Sequence, residues 1–249
     1  MFLNERLAHD GHWLFRRRSY VPLLLAPLLF VAMLDFSYPG ASHTLDYVWE
    51  FVCFAVTGLG VAIRAYTIGH APPGTSGNTT RTPKADSLNT TGAYSLVRHP
   101  LYVGNFFMWL GIALFPRHAL LVIVFALVFL VHYERIMIAE EKFLAARFPA
   151  EFFAWAATTP AVVANFRNWR SPALPFVWRR VLRREYSGLF AAISIFTILE
   201  VLGDYVLTGR IEIEPAWAAF FGIGAVVYLG LLTVKHTTRW LDEKVAASA

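Results

Sequence analysis

"GAYSLVRHPLYVGNFFMWLG", residues 92–111, sets Arg98, His99 and Pro100 directly against a run that carries no charge until Arg117. Proline is well tolerated in the first turn of a helix, because its missing N–H would be unpaired there anyway. The stretch therefore reads as the mouth of an apolar helix. By itself Arg98 is explained by snorkelling, with its stem in apolar surface and its guanidinium among headgroups. Further on, Tyr102 and Gly104 stand at i+3 and i+5 from His99. Gly104 and Gly111 lie seven residues apart, on nearly one face of a helix. Small residues so placed let another backbone or a flat ligand approach closely.

The surrounding chain is of the same apolar kind. Of its 249 residues 57% are hydrophobic and 16% charged, with mean hydropathy +0.49, whereas a soluble domain carries roughly 25% charged residues. This composition implies an integral membrane protein, all-α and polytopic, with residues 1–249 forming a single membrane domain. Apolar runs able to cross or nearly cross roughly 30 Å of hydrocarbon lie at 20–38, 47–69, 101–115, 119–133, 187–207 and 215–234. These predict about six helices. The third and fourth are short and joined only by Pro116-Arg117-His118, so 101–133 is expected to be a tight helical hairpin that thins the bilayer or stops short of crossing it. The first run lacks a small-residue cleavage site and is expected to be a retained span. Cys53 is the single cysteine, which leaves no disulfide framework and no cysteine-based metal site. His132 has no second histidine at metal-ligand spacing, so no metal is expected.

Charge orients the chain. Of 22 Lys and Arg, four precede the first helix, three lie in the 70–100 loop, nine in 134–186 and three after 234. The short opposite loops hold only Arg117 and Arg210, and Arg64 falls within the second helix near its 70–100 end. The positive-inside rule then puts both termini, the 70–100 loop and 134–186 in the cytoplasm. The same asymmetry accounts for the sequence pI of about 9.5, so nucleic acid is not an expected partner. It also opposes glycosylation at the N-x-T triplets of Asn78 and Asn89, which would need a luminal location.

Loop 70–93, rich in Pro, Gly, Asn and Thr, is expected to cover the motif as a flap. Residues 134–148 read as an amphipathic helix on the membrane surface, with Ile136, Phe143, Leu144 and Phe148 opposed to Glu140, Glu141 and Lys142. Residues 167–186 mix six arginines with Trp169, Phe176, Trp178 and Tyr186, the makeup of an interfacial belt against anionic membrane lipids.

A tight hairpin would return Glu140 and Glu141 to the surface where Arg98 and His99 stand. The result would be a pocket with fixed cations and paired carboxylates, walled by Tyr94, Tyr102, Phe106, Phe107 and Trp109. Arginine suits a carboxylate, glutamate an ammonium or ribose hydroxyls, and aromatic faces a sulfonium or adenine. One ligand would enter from the cytosol and the other from the bilayer.

"GAYSLVRHPLYVGNFFMWLGIAL" followed by "EEKFLAARFPAEFFAW" resembles the isoprenylcysteine carboxyl methyltransferase family of membrane enzymes and the related phospholipid N-methyltransferases. Their shared pattern is RHPxYxG, a helical hairpin, then EExxL and an aromatic tail. Residues 92–166 carry the resemblance as a methyltransferase-like catalytic core. It implies S-adenosylmethionine as methyl donor, held by Arg98, His99, Tyr102, Gly104, Glu140 and Glu141, with Tyr94 at the wall and Arg98, Glu140 and Glu141 nearest the chemistry. It also implies a lipophilic membrane substrate. An anionic oxygen acceptor needs no base; an amine would need Glu140, Glu141 or His99 to take its proton.

Two features depart from that pattern. The chain continues past it with the basic segment and two more helices (167–249), and Glu200 and Asp204 stand at i and i+4 on one face of the first. These two are read either as an acceptor-site feature or as carboxylates solvated near a helix end. Two other functions compete. An NADPH-dependent sterol-type reductase carries an RHPxYxG-like motif, but with an acidic residue where this chain has Asn105. A non-catalytic scaffold or transporter is opposed by the absence of internal repeats.

Overall fold

The computed structural model describes residue 11 and residues 13–16, 25–72 and 85–241. The expectations placed on residues 20–24, on the middle of the 70–93 loop with Asn78, and on Arg6, Arg17, Arg18, Arg81, Lys84 and Lys244 lie outside the described residues. The helices are α1 (Ala26–Met33), α2 (His43–Gly69), α3 (Pro100–Leu114), α4 (Ala119–Arg147), α5 (Pro149–Ala156), α6 (Trp178–Thr208) and α7 (Pro215–Thr237), with a single turn at Ala93–Leu96 before α3. No strand occurs among the described residues. Four helices, α2, α4, α6 and α7, are long and apolar enough to cross a membrane, and α3 is a shorter apolar helix. Among the described residues the chain is all-helical, with the apolar helices of an integral membrane protein. Four candidate spans occur among the described residues; the expected count of about six is not confirmed, since α3 has only 15 residues and the first apolar run, 20–38, is described only from residue 25.

The expected hairpin exists, but its arms are unequal. Pro100 opens α3 directly after His99, and α4 begins after His118, whose side chain accepts the Leu121 N–H at 3.3 Å. The turn between them places Arg117 at φ 60, a left-handed conformation that costs a non-glycine residue roughly 1–3 kcal/mol. Three contacts hold it: Asp46 at 2.5 Å, the Ser37 carbonyl at 2.6 Å, and the Phe36 ring with its centroid 4.4 Å away.

Helix α4 runs unbroken over 29 residues, so the expected surface helix at 134–148 is not a separate element. Nothing between Ala119 and Arg147 is a glycine or proline, and without a breaker each N–H keeps its i−4 partner. The break falls at Pro149, which opens the eight-residue α5. Likewise the basic stretch 167–186 is divided. Residues from Trp178 onward are the first turns of α6, which ends where Gly209 takes φ 70.

Helices α2 and α3 pack most intimately, along a seam of small residues. A Cβ on Gly60 would strike the Met108 backbone, one on Gly104 the Gly60 carbonyl and Arg64 stem, and one on Gly111 the Cys53 carbonyl and Thr57. Gly104 and Gly111 therefore admit a neighbouring backbone. Across the seam the Thr57 hydroxyl donates to the Met108 carbonyl at 3.1 Å, and Trp49 Nε1 to the Leu114 carbonyl at 3.0 Å. A core of Met33, Phe36, Cys53, Phe115, Phe196 and Trp217 joins α1, α2 and the hairpin turn to α6 and α7. Ile223, Val226 and Leu229 of α7 point outward, as expected of a lipid-facing side.

Residues 157–177 form a strap over the motif rather than a loose linker. The Arg98 N–H donates to the Pro160 carbonyl at 2.8 Å, Asn165 N–H to Leu96 at 2.9 Å, Gly92 N–H to Arg170 at 3.0 Å and Val177 N–H to Gly69 at 2.9 Å.

Gly60→Leu should push α2 from α3 and cost about 1–3 kcal/mol, the usual penalty of overpacking. Gly58→Ala, at a position with nothing within 4 Å, should leave stability unchanged or slightly raised. Thermal unfolding in detergent micelles distinguishes the two.

Candidate active site

The hairpin brings the two halves of the sequence motif together. His99, only 6% exposed, lies between the carboxylates of α4: its Nε2 is 3.0 Å from Glu141 Oε1 and its Nδ1 3.6 Å from Glu140 Oε2. Arg98 Nε forms a 2.9 Å ion pair with Glu141 Oε1 without aligning for a hydrogen bond, while another guanidinium nitrogen donates to the Ala156 carbonyl at 3.1 Å. Tyr102, one turn into α3, donates its hydroxyl to Glu140 Oε1 at 2.7 Å and stacks on the His99 ring. Burial works to lower the His99 pKa, but Glu140 and Glu141 outweigh it and hold the imidazole above its ordinary 6.5. Tyr94 is shifted above its ordinary 10.0 by burial and then by Glu140, against the opposing pull of Arg184 and Arg64. Its backbone carbonyl accepts the Trp155 indole N–H at 2.9 Å.

This cluster forms one end of a cavity of about 830 Å³, within the range of cofactor and ligand sites. Arg98, His99, Tyr102, Glu140 and Tyr94 line it directly, and Trp109 belongs to its wall. Glu141 stands behind Arg98 and His99, and Gly104 faces α2, so neither is part of the lining. Phe106 and Phe107, expected as walls, are not lining residues either; Phe106 packs on Phe125 and Phe129 of α4. The helical period decides this, since Tyr102, Asn105, Trp109 and Ile112 share the face turned to the cavity. Ala85, Ser87 and Leu88 border the same space, which is where the described end of the expected flap falls.

Sequence reading missed the residues that close the far side. Arg64 of α2 makes a two-pronged contact with Glu185 of α6, Nε to Oε2 at 2.7 Å and an NH2 nitrogen to Oε1 at 2.6 Å. It also donates to Asn105 Oδ1, and the Asn105 amide in turn donates to the Tyr133 hydroxyl at 3.0 Å. An amide at position 105 thus supplies the acceptor and the donor that its two neighbours need. The signal was present in the sequence. An arginine inside an apolar helix demands a partner, yet only the fold could say that the partner is 121 residues away. Glu200, read as either an acceptor-site feature or a solvated end residue, is buried and lies beside Glu50 at the other end of α6. It stands about 22 Å along the helix from Glu185 at 1.5 Å per residue. Asp204 accepts the Tyr38 hydroxyl at 3.3 Å. Neither lines the cavity.

Apolar helices thus enclose an ionic cluster at a helix mouth with a cavity beneath it. Residues 51–151, from α2 through the first residues of α5, match the phospholipid methyltransferase family, in agreement with the resemblance read from the motif. The chain is 42% identical over 87 residues to the cobalt-zinc-cadmium resistance protein CzcN of Cupriavidus metallidurans, covering 35% of this chain and 40% of that one. It is 38% identical over 88 residues to the nickel-cobalt-cadmium resistance protein NccN of Alcaligenes xylosoxydans xylosoxydans, covering 35% and 41%. The chain thus spans about two fifths of the length of the curated relatives it matches. No solved structure matches it.

Arg64→Met leaves Glu185 buried without its counter-ion and should cost about 3–5 kcal/mol, while Arg64→Met with Glu185→Leu should recover most of the loss; thermal unfolding of the purified variants checks this. For His99 the raised pKa means that its stabilisation is complete below pH 6.5 and is lost as pH rises through the shifted value. The melting temperature of the parent protein should fall over that window relative to His99→Gln, measured as a difference between the two pH profiles.

Proposed function

We propose that the chain is an S-adenosylmethionine-dependent methyltransferase that modifies a lipophilic acceptor embedded in the bilayer, with its active site on the cytoplasmic face. The observation that carries this reading is the cluster of Arg98, His99, Tyr102, Glu140 and Glu141 opening into a large cavity between membrane helices. The donor is zwitterionic at its amino-acid end, and both signs of charge stand there. Arg98 fits its carboxylate and Glu140 its ammonium or ribose hydroxyls, with Glu141 holding Arg98 and His99 from behind, and Tyr94, Tyr102 and Trp109 offer aromatic faces to its cationic centre or base.

S-Adenosylmethionine, when bound, supplies a methyl carbon activated by the neighbouring sulfonium. The protein's residues have to orient two ligands and exclude water, and such orientation can supply ~7–11 kcal/mol of the barrier. His99 holds Glu140 and Glu141 at fixed spacing. Tyr102 directs Glu140 toward the cavity. The strap of 157–177 anchors the Arg98 backbone from outside. The excess of Lys and Arg on the segments around the motif supports cytoplasmic placement, where the donor is made.

Purified protein should bind S-adenosylmethionine and not NADPH, and Glu140→Gln or Arg98→Ala should weaken donor binding about tenfold or more while the fold persists, because each removes a charge-assisted contact. Labelled donor incubated with the enzyme and total lipid extract should yield a labelled lipophilic product. Absence of donor binding together with absence of transfer to any lipid or prenylcysteine acceptor refutes the reading.

A further inference from the structure

We propose that the strap of residues 157–177 is a membrane-docking element, with Val162, Val163, Phe166 and Trp169 seated in an anionic head-group layer and Arg167 and Arg170 reaching its phosphates. The partner is a lipid surface, and nothing in this depends on the methyltransferase reading. The basic stretch read from the sequence begins at residue 167, and its second half forms the first turns of α6. The two most exposed large apolar side chains among the described residues, Val163 and Phe166, stand just before it.

Exposure is the first argument. Val163 is 81% exposed and Phe166 77%, more than Val226 at 72% on the outward side of α7, and Val162 and Trp169 flank them at 40% and 49%. Single apolar residues scattered on a surface are ordinary, whereas a contiguous group marks a contact site. The tip that carries them is held in shape. The Asn168 side-chain amide donates to the Thr158 carbonyl at 2.6 Å, the Asn165 side chain accepts the Arg167 N–H at 3.2 Å, and the Asn165 N–H donates to the Leu96 carbonyl at 2.9 Å. Such a frame keeps the apolar side chains from folding back onto the bundle.

Position is the second argument. The strap meets two candidate spans where they terminate: the Val177 N–H donates to the carbonyl of Gly69, the last residue of α2, and Trp178 opens α6. The Phe176 ring lies against Gly69 and His70, and the Trp169 ring is 6.2 Å from that of Tyr66. The strap is thus continuous with the lipid-facing bundle at the height where apolar helices leave the hydrocarbon. Aromatic rings of membrane proteins gather at that height.

Charge decides which surface the tip meets. Arg167 and Arg170 are exposed and alternate with Phe166 and Trp169, so guanidinium groups rim the apolar tip. Arginine grips phosphate oxygens in two-pronged geometry, and each basic residue near an anionic leaflet strengthens the attraction roughly fivefold. An apolar tip alone would serve a protein groove or a neutral bilayer equally well; the arginine rim favours anionic lipid. The seating bears on the motif, because the Arg98 N–H is bonded to the Pro160 carbonyl of the same strap at 2.8 Å.

The test places the full-length protein in nanodiscs of phosphatidylcholine alone or of phosphatidylcholine mixed with phosphatidylglycerol. A nitroxide is attached to Val163→Cys or, in a second variant, to Phe166→Cys, both at exposed side chains. The parent, whose single Cys53 is buried, gives the blank. Collision of the label with oxygen, which concentrates in lipid, is compared with its collision with a nickel chelate, which stays in water. A label on Val226→Cys of α7 supplies the lipid-facing reference. In anionic discs both strap labels should favour oxygen, and in neutral discs they should shift several-fold toward the nickel chelate. Arg167→Gln combined with Arg170→Gln should give the neutral-disc ratio in anionic discs as well. The proposal is overturned if the strap labels read as water-exposed in anionic discs, if their ratio is the same in both kinds of disc, or if the double arginine variant keeps the parent ratio. It is equally overturned if neither reagent reaches the labels, which would mean that protein covers the face. S-Adenosylmethionine plays no part in this readout, so a protein that fails to bind it would sink the methyltransferase reading and leave the docking surface standing.

Discussion

Arg64 must be neutralised where it stands, because it sits in the apolar helix α2 and a charge there is expensive without a partner. The fold meets this demand from two directions, with the Glu185 carboxylate of α6 and the Asn105 amide of α3. Satisfying one guanidinium therefore fixes three helices at a common height. The glycine seam belongs to the same device. Gly104 precedes Asn105 and leaves room for the Arg64 stem, so the close approach of α2 and α3 and the pairing of Arg64 require each other.

A second arginine acts at the opposite end. Arg117 turns the hairpin in a left-handed conformation and reaches Asp46 in the first turn of α2. Between the two arginines lies the aromatic and aliphatic core of Phe36, Phe115, Phe196 and Trp217. Helix α3 is thus pinned at both ends to α2, and α4 follows it through a short turn. This rigidity lets His99, at the mouth of α3, meet Glu140 and Glu141, more than five turns along α4. Carboxylates are costly to hold at such a site unless cations and hydroxyls meet them. Arg98, His99 and Tyr102 do so.

The cavity has two owners. Its ionic end comes from the segment that matches the phospholipid methyltransferase family. Its other wall comes from α6 and α7, which carry Arg184, Glu185 and Lys235. The strap of 157–177 joins the two parts and closes over the motif loop through main-chain hydrogen bonds.

Much of this was legible in the sequence because it is local. Apolar run length announced the long helices, Pro100 marked the start of α3, Pro116-Arg117-His118 announced the hairpin, and the RHPxYxG and EE motifs named the residues that meet. The helix boundaries near Glu134 and Trp178 were less legible, since composition changes there while the backbone has no reason to break. Which face of α3 turns to the cavity depends on its neighbours, so Phe106 and Gly104 read as pocket residues but pack on α4 and α2. The partnership of Arg64 with Glu185, the burial of Glu200 beside Glu50 and the arrival of Lys235 at the cavity were decided by tertiary structure alone. Sequence by itself determined that a charged helix mouth opens beside paired glutamates in a membrane protein. It could not determine what meets them from α6 and α7, because a charge within a helix states the need for a partner and only the packing of helices supplies one.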